Sequence, residues 1–303
     1  MENSALQTRL IELKKQKNAI ILAHNYQPGI VQDNADFVGD SLELSIKASK
    51  LTEDVVLFCS VHFMGETAKI LSPEKTILMP DKRAGCRMAD MITPKNVRDL
   101  REKHPDAAFV TYVNSSAAVK AECDITCTSS NAIKIVKSMK EEQIVFVPDG
   151  NLGSYVAHFV PEKEVICYSG FCPVHEEITA EMIRDARTEH PNAPVIIHPE
   201  CPVELSLAAD IVASTSGMLK AAKEREEQEF IVATEVDMCH RLQKDNPNKK
   251  FYTLDPPPIC PNMKYTTLEK MVEALEKKQF EIFVDEEIAI RAKRAIERMI
   301  ELS

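Results

Sequence analysis

One seven-residue pattern occurs three times in this sequence and decides the expected fold. Residues 35–41 read Ala-Asp-Phe-Val-Gly-Asp-Ser, and related segments follow at 123–129 (Cys-Asp-Ile-Thr-Cys-Thr-Ser) and 209–215 (Ala-Asp-Ile-Val-Ala-Ser-Thr). The aspartates at the second position of these segments lie 88 and 86 residues apart. An internal repeat of this period indicates that the chain is built from three related units.

Other landmarks keep the same spacing from these aspartates. Twelve residues before each aspartate a short apolar run ends in a polar residue, and a second polar residue follows two positions later. These polar pairs are His24 with Tyr26, Tyr112 with Asn114, and His198 with Glu200. Five residues after each aspartate comes a hydroxyl, which belongs to Ser41, Ser129 or Thr215.

Each unit alternates short apolar runs with helical patterns, which favours a parallel sheet covered by helices. We therefore expect an α/β protein of three αβα three-layer domains with short parallel sheets, related by a pseudo-threefold axis, with the active site at that axis. The predicted domains are 1–88 together with 264–303, then 89–174, and then 175–263. The C-terminal tail is expected to return to the first domain and close the ring.

Composition excludes several classes of protein. The 303 residues are 44% hydrophobic and 28% charged, as in ordinary globular proteins. The net charge of -10 argues against an electrostatic nucleic-acid surface. We see neither a signal peptide nor an apolar run long enough to span a membrane, and we expect a cytoplasmic protein. In a reducing compartment, the nine cysteines are not expected to form a disulfide framework.

The polar strand ends and the hydroxyls are the candidate binding site. Ligands of open α/β sheets bind beyond the carboxyl ends of the strands, and hydroxyls beside exposed helix N-termini are suited to anions. Taken singly, Ser41, Ser129, Ser214 and Thr215 would be interpreted as helix N-caps. Three units around one axis would direct the hydroxyls and the polar strand ends into one cavity.

Three cysteines occupy equivalent loops. Cys86, Cys172 and Cys260 lie 50, 48 and 50 residues after the three repeated aspartates. Three converging thiolates suit a soft metal centre, and they would hold a 4Fe-4S cluster through three irons while leaving the fourth iron open. Zinc with an open coordination position is the competing metal, and three buried free thiols are the alternative without a metal.

The local motifs resemble those of a known family. They are Ile21–Gln27 (Ile-Leu-Ala-His-Asn-Tyr-Gln), Gly39–Ser41, Tyr112–Ser115, Cys127–Ser129, Cys172–His175, His198–Cys201 and Ser214–Gly217. Over essentially its whole length, the sequence resembles the quinolinate synthase (NadA) family of NAD biosynthesis. One departure is that some members carry a second cysteine close to the third ligand, whereas Pro256–Met263 contains one cysteine here. This argues against a redox switch through such a pair.

The resemblance implies a reaction and a set of site residues. Family members condense iminoaspartate (iminosuccinate) with dihydroxyacetone phosphate to give quinolinate, phosphate and water, and the open iron of one 4Fe-4S cluster acts as a Lewis acid. The implied cluster ligands are Cys86, Cys172 and Cys260. The implied substrate-binding residues are His24, Ser41, Tyr112, Asn114, Ser129, His198, Glu200, Ser214 and Thr215.

Position and chemistry assign the catalytic roles by hypothesis. We expect Tyr26 and Glu200 to transfer protons, while His24 and His198 bind carboxylates or move protons. We expect an aspartate-oxidising enzyme to supply iminoaspartate in transient contact, with no nucleic acid or membrane as partner. Three other functions stay open at this point: an electron carrier, a zinc-dependent aldolase or lyase, and a substrate-binding module without turnover.

Overall fold

Three sheets of the same kind form the framework of the protein. The computed structural model describes residues 2–303, and each sheet in it has four parallel strands flanked by helices. In each sheet the strands lie side by side in the order second, first, third and fourth along the unit. This confirms the predicted α/β class with three αβα layers.

The first unit packs its sheet between two layers of apolar side chains. Its elements are α1 (Glu2–Lys17), β1 (Ala19–His24), α2 (Gly29–Asp33), β2 (Phe37–Gly39), α3 (Ser41–Ala48), β3 (Val55–Cys59), α4 (His62–Leu71) and β4 (Thr76–Leu78). Alternate residues of a strand face opposite sides of its sheet. Leu22 of β1 therefore joins the central core, while Ile21 packs against Leu10 and Leu13 of α1.

The second unit repeats this arrangement. It begins with a 3₁₀ turn, and its elements are the turn Ala89–Met91, α5 (Pro94–Lys103), β5 (Ala108–Tyr112), α6 (Ala117–Lys120), β6 (Ile125–Cys127), α7 (Ala132–Ser138), β7 (Gln143–Val147), α8 (Gly150–Phe159) and β8 (Glu164–Cys167). Val97 of α5 belongs to the same outer cluster as Phe109 of β5. Helix α5 therefore covers the outer face of this sheet.

The third unit has the same plan. Its elements are α9 (Pro173–Glu176), α10 (Ala180–Glu189), β9 (Val195–Ile197), α11 (Val203–Ala208), β10 (Ile211–Val212), α12 (Thr215–Glu224), β11 (Glu229–Ala233), α13 (Met238–Asp245) and β12 (Lys250–Thr253). Ala186 of α10 and Ile197 of β9 share the outer cluster. The inner faces of all three sheets meet in one continuous core, in which Phe58, Phe146 and Phe230 are fully buried.

The repeated aspartates fix the pairing between the first and second strands of each unit. In every unit the aspartate Oδ2 accepts the backbone N–H of a residue in the first strand. The three bonds are Asp36 with Ile21 at 2.8 Å, Asp124 with Phe109 at 2.7 Å, and Asp210 with Val195 at 2.8 Å. The strand register is also the same, with Ala23 beside Val38, Thr111 beside Thr126 and Ile197 beside Val212. The aspartate that recurs in the sequence therefore makes the same hydrogen bond in each of the three units.

The C-terminal tail crosses the first two units. It contains a 3₁₀ turn (Met263–Tyr265), α14 (Leu268–Lys277) and α15 (Glu286–Leu302). Between the two helices, Phe280 exchanges backbone hydrogen bonds of 2.9 and 3.0 Å with Met79, directly after β4. Helix α14 packs on α1, while α15 packs on β6, α6 and α4. The domain boundaries given above stay a prediction.

The helices of residues 2–303 include none with both the length and the apolar character of a membrane span.

Candidate functional site

One cavity gathers residues from all three units. Its walls come from the loops after the first strands, from helix N-termini and from the cysteine loops. Of the residues predicted from sequence, those that line it are His24, Tyr26, Ser41, Cys86, Tyr112, Asn114, Ser129, Cys172, His198, Glu200, Thr215 and Cys260. The geometry therefore brings together every predicted residue except Ser214.

Ser214 serves as a helix cap beside the cavity. Its Oγ accepts the backbone N–H of Gly217 at 3.2 Å at the start of α12. The next residue, Thr215, lines the cavity and accepts a hydrogen bond from Asn25 Nδ2 at 2.8 Å. In the first unit Asp40 is the corresponding cap, so Ser41 is the first residue of α3 and lines the cavity. A substrate contact of Ser214 stays a prediction.

The two histidines at strand ends have the same tautomer. The backbone N–H of Tyr26 donates to Nδ1 of His24 at 3.1 Å, and that of Glu200 donates to Nδ1 of His198 at 3.3 Å. A ring nitrogen that accepts carries no proton, so each neutral ring carries its hydrogen on Nε2. Nε2 of His198 lies 3.2 Å from Ser129 Oγ. Both side chains therefore present an N–H donor to the site.

Burial keeps these histidines neutral. It lowers the pKa of His24 to about 4 and that of His198 to about 3, although the charge of Glu200 acts in the opposite direction. Near pH 7 both rings are uncharged hydrogen-bond donors.

Three side chains of the cavity surround the carboxylate of Glu200. Its Oε1 accepts from the Tyr112 hydroxyl at 2.5 Å and from Asn114 Nδ2 at 3.3 Å. Its Oε2 lies 2.9 Å from Nδ1 of His175. Burial acts to raise the pKa of Glu200, but His175 and the hydrogen bonds lower it below its usual range. The side chain is therefore an ionised carboxylate at rest.

A chain of polar contacts joins Tyr26 to Glu200, and its last link, from His175 Nδ1 to Glu200 Oε2 at 2.9 Å, has the distance of an ion pair without hydrogen-bond geometry. His175 Nε2 lies 2.7 Å from Thr234 Oγ1, and that oxygen lies 2.6 Å from the Tyr26 hydroxyl. Because a carboxylate only accepts, the hydrogen of His175 belongs on Nδ1, which faces Glu200. Thr234 then donates to His175 and accepts from Tyr26. Both hydrogen bonds of the chain therefore run in the same direction, from Tyr26 to Thr234 and from Thr234 to His175.

Sequence reasoning did not assign three of these residues. His175 has no histidine counterpart in the repeat, because the equivalent positions of the other units hold Ala89 and Met263. Thr234 and the buried Glu235, which lines the cavity, lie directly after β11. The available signal was their place at a strand's carboxyl end, and for His175 its place in the Cys172–His175 motif.

The three equivalent cysteines each stand before a short helical turn that faces the cavity. Burial raises the pKa of Cys86 to about 12 and also raises those of Cys172 and Cys260. The charge of Glu200 adds to the increase for Cys86 and Cys172, and that of Glu235 for Cys260. Backbone N–H groups near each sulfur act in the opposite direction; for Cys86 these belong to Ala89 and Met88. If a metal centre binds here, the three thiols lose their protons. The nearby backbone N–H groups can then donate hydrogen bonds to the thiolates.

A second donor set overlaps the first. One ligand atom each from Cys172, His175 and Glu200 lie within 4.8 Å of one another, which would also suit a single metal ion. Both nitrogens of His175 already face partners, Glu200 on one side and Thr234 on the other. A metal on His175 would break one of these contacts, whereas a centre on the three thiols leaves both intact.

The remaining cysteines belong to the packing of the protein. Within residues 2–303 none of the six lines the cavity. Cys59, Cys123, Cys127 and Cys201 are buried, and Cys167 and Cys239 are half-buried. They are therefore packing residues and not part of the cavity wall.

Comparisons with known proteins cover the whole chain. A family profile described as "Quinolinate synthetase A protein" (NadA) matches residues 8–301. Three similar proteins each carry the name quinolinate synthase. The one from Caldicellulosiruptor saccharolyticus is 49% identical over 303 residues and 100% of both chains. Those from Thermodesulfovibrio yellowstonii and Geobacter sp. strain M21 are 51% identical over 97% of both chains and 48% identical over 99% and 98%. These matches confirm the resemblance drawn from the motifs.

Proposed function

The chain belongs to the quinolinate synthase family, and on this basis we propose that it condenses iminoaspartate with dihydroxyacetone phosphate. The products are quinolinate, phosphate and water, and the reaction serves the biosynthesis of NAD. The enzyme is then a transferase that forms one C–C and one C–N bond, with dehydration and elimination of phosphate. The observation that carries the proposal is the convergence of one thiol from each repeat on the cavity that contains Tyr26 and Glu200.

We further propose that Cys86, Cys172 and Cys260 hold one 4Fe-4S cluster. The donor set fits this group because it consists of three soft thiols from equivalent loops, each with backbone N–H groups near its sulfur. When bound, a cluster with one open iron supplies Lewis-acid polarisation of a substrate oxygen.

The chain from Tyr26 to Glu200 is suited to moving a proton without a charged tyrosine. Burial, reinforced by the charge of Glu200, raises the pKa of Tyr26 well above its usual value, so a free phenolate is costly. If the Tyr26 oxygen takes a proton from the substrate, its own proton passes to Thr234. The Thr234 proton then passes to His175 Nε2, and the His175 Nδ1 proton passes to Glu200. The substrate loses one proton, Glu200 gains one, and every intermediate group ends neutral.

The other polar groups of the cavity are donors that orient anions. His24 and His198 present Nε2–H, and Asn114 presents an amide already turned to Glu200. The hydroxyls of Ser41 and Thr215 stand in the first turns of α3 and α12, beside the caps Asp40 and Ser214, where the helix dipole favours negative charge. We propose that the phosphate and the carboxylates bind among these donors.

The decisive experiment is an anaerobic assay for quinolinate. The protein is reconstituted with iron and sulfide, given iminoaspartate and dihydroxyacetone phosphate, and the product is identified by mass spectrometry. We expect about four irons and four sulfides per chain and formation of quinolinate. The control is protein loaded with zinc, for which we expect no turnover.

Each alternative function has its own outcome in this experiment. Turnover by the zinc form would support a zinc-dependent lyase. A cluster spectrum that ignores a substrate analogue would support an electron carrier, and affinity for substrates without product would support a binding module. A fully loaded cluster without quinolinate would contradict the proposed function.

The cellular location of the enzyme and the source of its iminoaspartate are also proposals. We propose a cytoplasmic enzyme that receives iminoaspartate from an aspartate-oxidising enzyme in transient contact. Cell fractionation tests the first. For the second, we expect quinolinate formation to be faster with the oxidising enzyme present than with an equal flux of iminoaspartate generated chemically.

A further inference from the structure

The fixed charges around the cavity are mostly negative. The acids that line it are Asp40, Glu200 and Glu235, and all three are buried. Among the lining residues that the structure describes, Arg87 is the one permanent cation. The whole chain also has a net charge of -10. A ligand with two negative charges therefore approaches a cavity and a protein that both repel it.

Nearby positive groups are already engaged. Nζ of Lys264 lies 2.6 Å from Glu235 Oε1, contacts Asp237, and donates to the Tyr26 carbonyl oxygen at 3.0 Å. Its charge is thus balanced by two carboxylates, and it does not line the cavity. The strand-end histidines are neutral near pH 7. Neither group supplies net positive charge to an incoming anion.

Arg87 is placed differently from these groups. It is exposed, it lines the cavity, and it follows Cys86 directly in the chain, so it stands at the solvent-facing rim. Within the side chains that the structure describes, no carboxylate pairs with its guanidinium. By contrast, Arg83, four residues earlier, is held by Asp81 at 2.7 Å. An unpaired guanidinium at a cavity rim is free to form two parallel hydrogen bonds with a carboxylate or a phosphate.

We propose that Arg87 recruits the dianionic substrates of this enzyme at the rim of the cavity and thereby sets their capture rate. The inference rests on the proposed function, because that function supplies a phosphate monoester and a dicarboxylate as ligands. Arg87 acts on binding, ahead of the proton transfers of Tyr26 and Glu200. A steering charge of this kind raises association rates by about tenfold or more, and salt screens the effect.

The test compares three variants of the cluster-loaded enzyme. Arg87→Gln removes the charge. Arg87→Lys keeps the charge but cannot form a bidentate pair of hydrogen bonds. Lys82→Gln is the matched control. Lys82 is exposed and lies outside the cavity lining, so its replacement changes the net charge equally. We vary dihydroxyacetone phosphate, and then iminoaspartate, at low and high salt.

We expect Arg87→Gln to lower kcat/KM for both substrates about tenfold at low salt, with the loss mainly in KM, and to flatten the salt dependence. Arg87→Lys should recover most of the rate, and Lys82→Gln should match the unmodified enzyme. The proposal is overturned if Arg87→Gln retains the original kcat/KM and salt dependence, or if Lys82→Gln shows an equal loss.

A binding measurement separates this proposal from the proposed function. Calorimetry with inorganic phosphate is carried out on the same proteins without turnover. We expect affinity to weaken in Arg87→Gln and not in Lys82→Gln. If the unmodified enzyme makes no quinolinate but this difference in phosphate affinity persists, the reaction is wrong and the role of Arg87 as an anion receptor stands. Equal phosphate affinity in all variants overturns the role of Arg87 whatever the reaction.

Discussion

The hydroxyl of Thr234 is the link that connects Tyr26 with His175, at 2.6 and 2.7 Å. Thr234→Val keeps the shape of the side chain and removes this hydroxyl, so the chain to Glu200 is interrupted. We expect kcat to fall by about 10²- to 10⁴-fold, the usual size of a general acid–base contribution. The measurement is steady-state kinetics at equal iron content.

Thr234→Ser is the matched variant, because it keeps the hydroxyl and loses only a methyl group. We expect it to retain most of the activity and the original pH profile of kcat. A Thr234→Val enzyme within twofold of the unmodified rate would show that protons do not pass through this residue.

The buried histidines make stability depend on pH in a definite direction. The pKa values of His24 and His198 in the folded protein, about 4 and 3, lie below the ordinary value of 6.5. The unfolded chain therefore binds more protons than the folded chain below pH 6.5. Stability is complete above that pH and falls as the solution is acidified, by up to about 1.4 kcal/mol per pH unit for each histidine.

Urea unfolding between pH 7.5 and 4.5 measures this slope. His198→Gln, which cannot take up a proton, should give a shallower slope than the unmodified protein. His158→Gln, at an exposed position of α8, is the control and should leave the slope unchanged. If the pH dependence of the free energy of unfolding is the same without His198, the lowered pKa of this histidine is wrong.

At the scale of elements, the repeated aspartates hold the strand pairs. Asp124 Oδ2 accepts the amide of Phe109, a fully buried residue, and lies 3.2 Å from Arg101. Asp124→Ala would leave that amide without a partner, at a cost of about 1–3 kcal/mol in the free energy of unfolding. Asp36→Ala and Asp210→Ala should cost similar amounts, because the same bond recurs.

Chemical denaturation of the four proteins tests this equivalence. Asp106→Ala, at an exposed position of the same unit, is the control and should stay within about 0.5 kcal/mol of the unmodified chain. A large loss in one unit and none in the others would mean that the aspartates are not interchangeable parts of one plan.

The sequence patterns predicted the elements that all three units share. They did not predict features in which one unit differs from the other two. The repeat implied three equal sheets, and their strand order and register agree with it. At the start of α14 the spacing of Thr266 and Glu269 in the sequence is that of a capping box. The cap is Thr267, whose Oγ1 accepts from Lys270. Two adjacent threonines offer the same chemistry, and only the path of the chain chooses between them.

Site residues without a copy in the other units could not be recognised from the repeat. Residues present in every copy, such as the cysteines, could be recognised by spacing alone. His175 has no counterpart of its kind in the other units, and its role arises from contacts with Thr234 and Glu200 that lie 59 and 25 residues away. These contacts join residues that are far apart in the chain but lie in the same unit, and local periodicity does not encode them.

At the scale of the whole molecule, the site exists because three units share one core. Helices cover the outer face of each sheet, with α14 of the tail beside α1 on the first, and the inner faces turn to the neighbouring units. The loops at the strand ends are thereby directed into one cavity. This arrangement separates the residues that hold the fold from those that bind, because the core lies behind the strands and the polar groups lie beyond their ends.

Because the residues that bind lie apart from the core, the proposed cluster ligands can be replaced one at a time. Each unit supplies one thiol, so Cys86→Ala, Cys172→Ala and Cys260→Ala should each abolish retention of a full 4Fe-4S cluster after anaerobic reconstitution. Cys239→Ala, at a half-buried cysteine of α13 outside the cavity lining, should keep the cluster. Iron and sulfide analysis with the visible absorption spectrum distinguishes these results.

The fold should survive the loss of the cluster. The common core contains the fully buried Phe58, Phe146 and Phe230 and does not need a metal to bury them. We therefore expect the three cysteine variants to keep the far-ultraviolet circular dichroism of the unmodified chain while losing turnover. A variant that retains about four irons would show that its unit does not supply a ligand, and the threefold origin of the metal site would then be wrong.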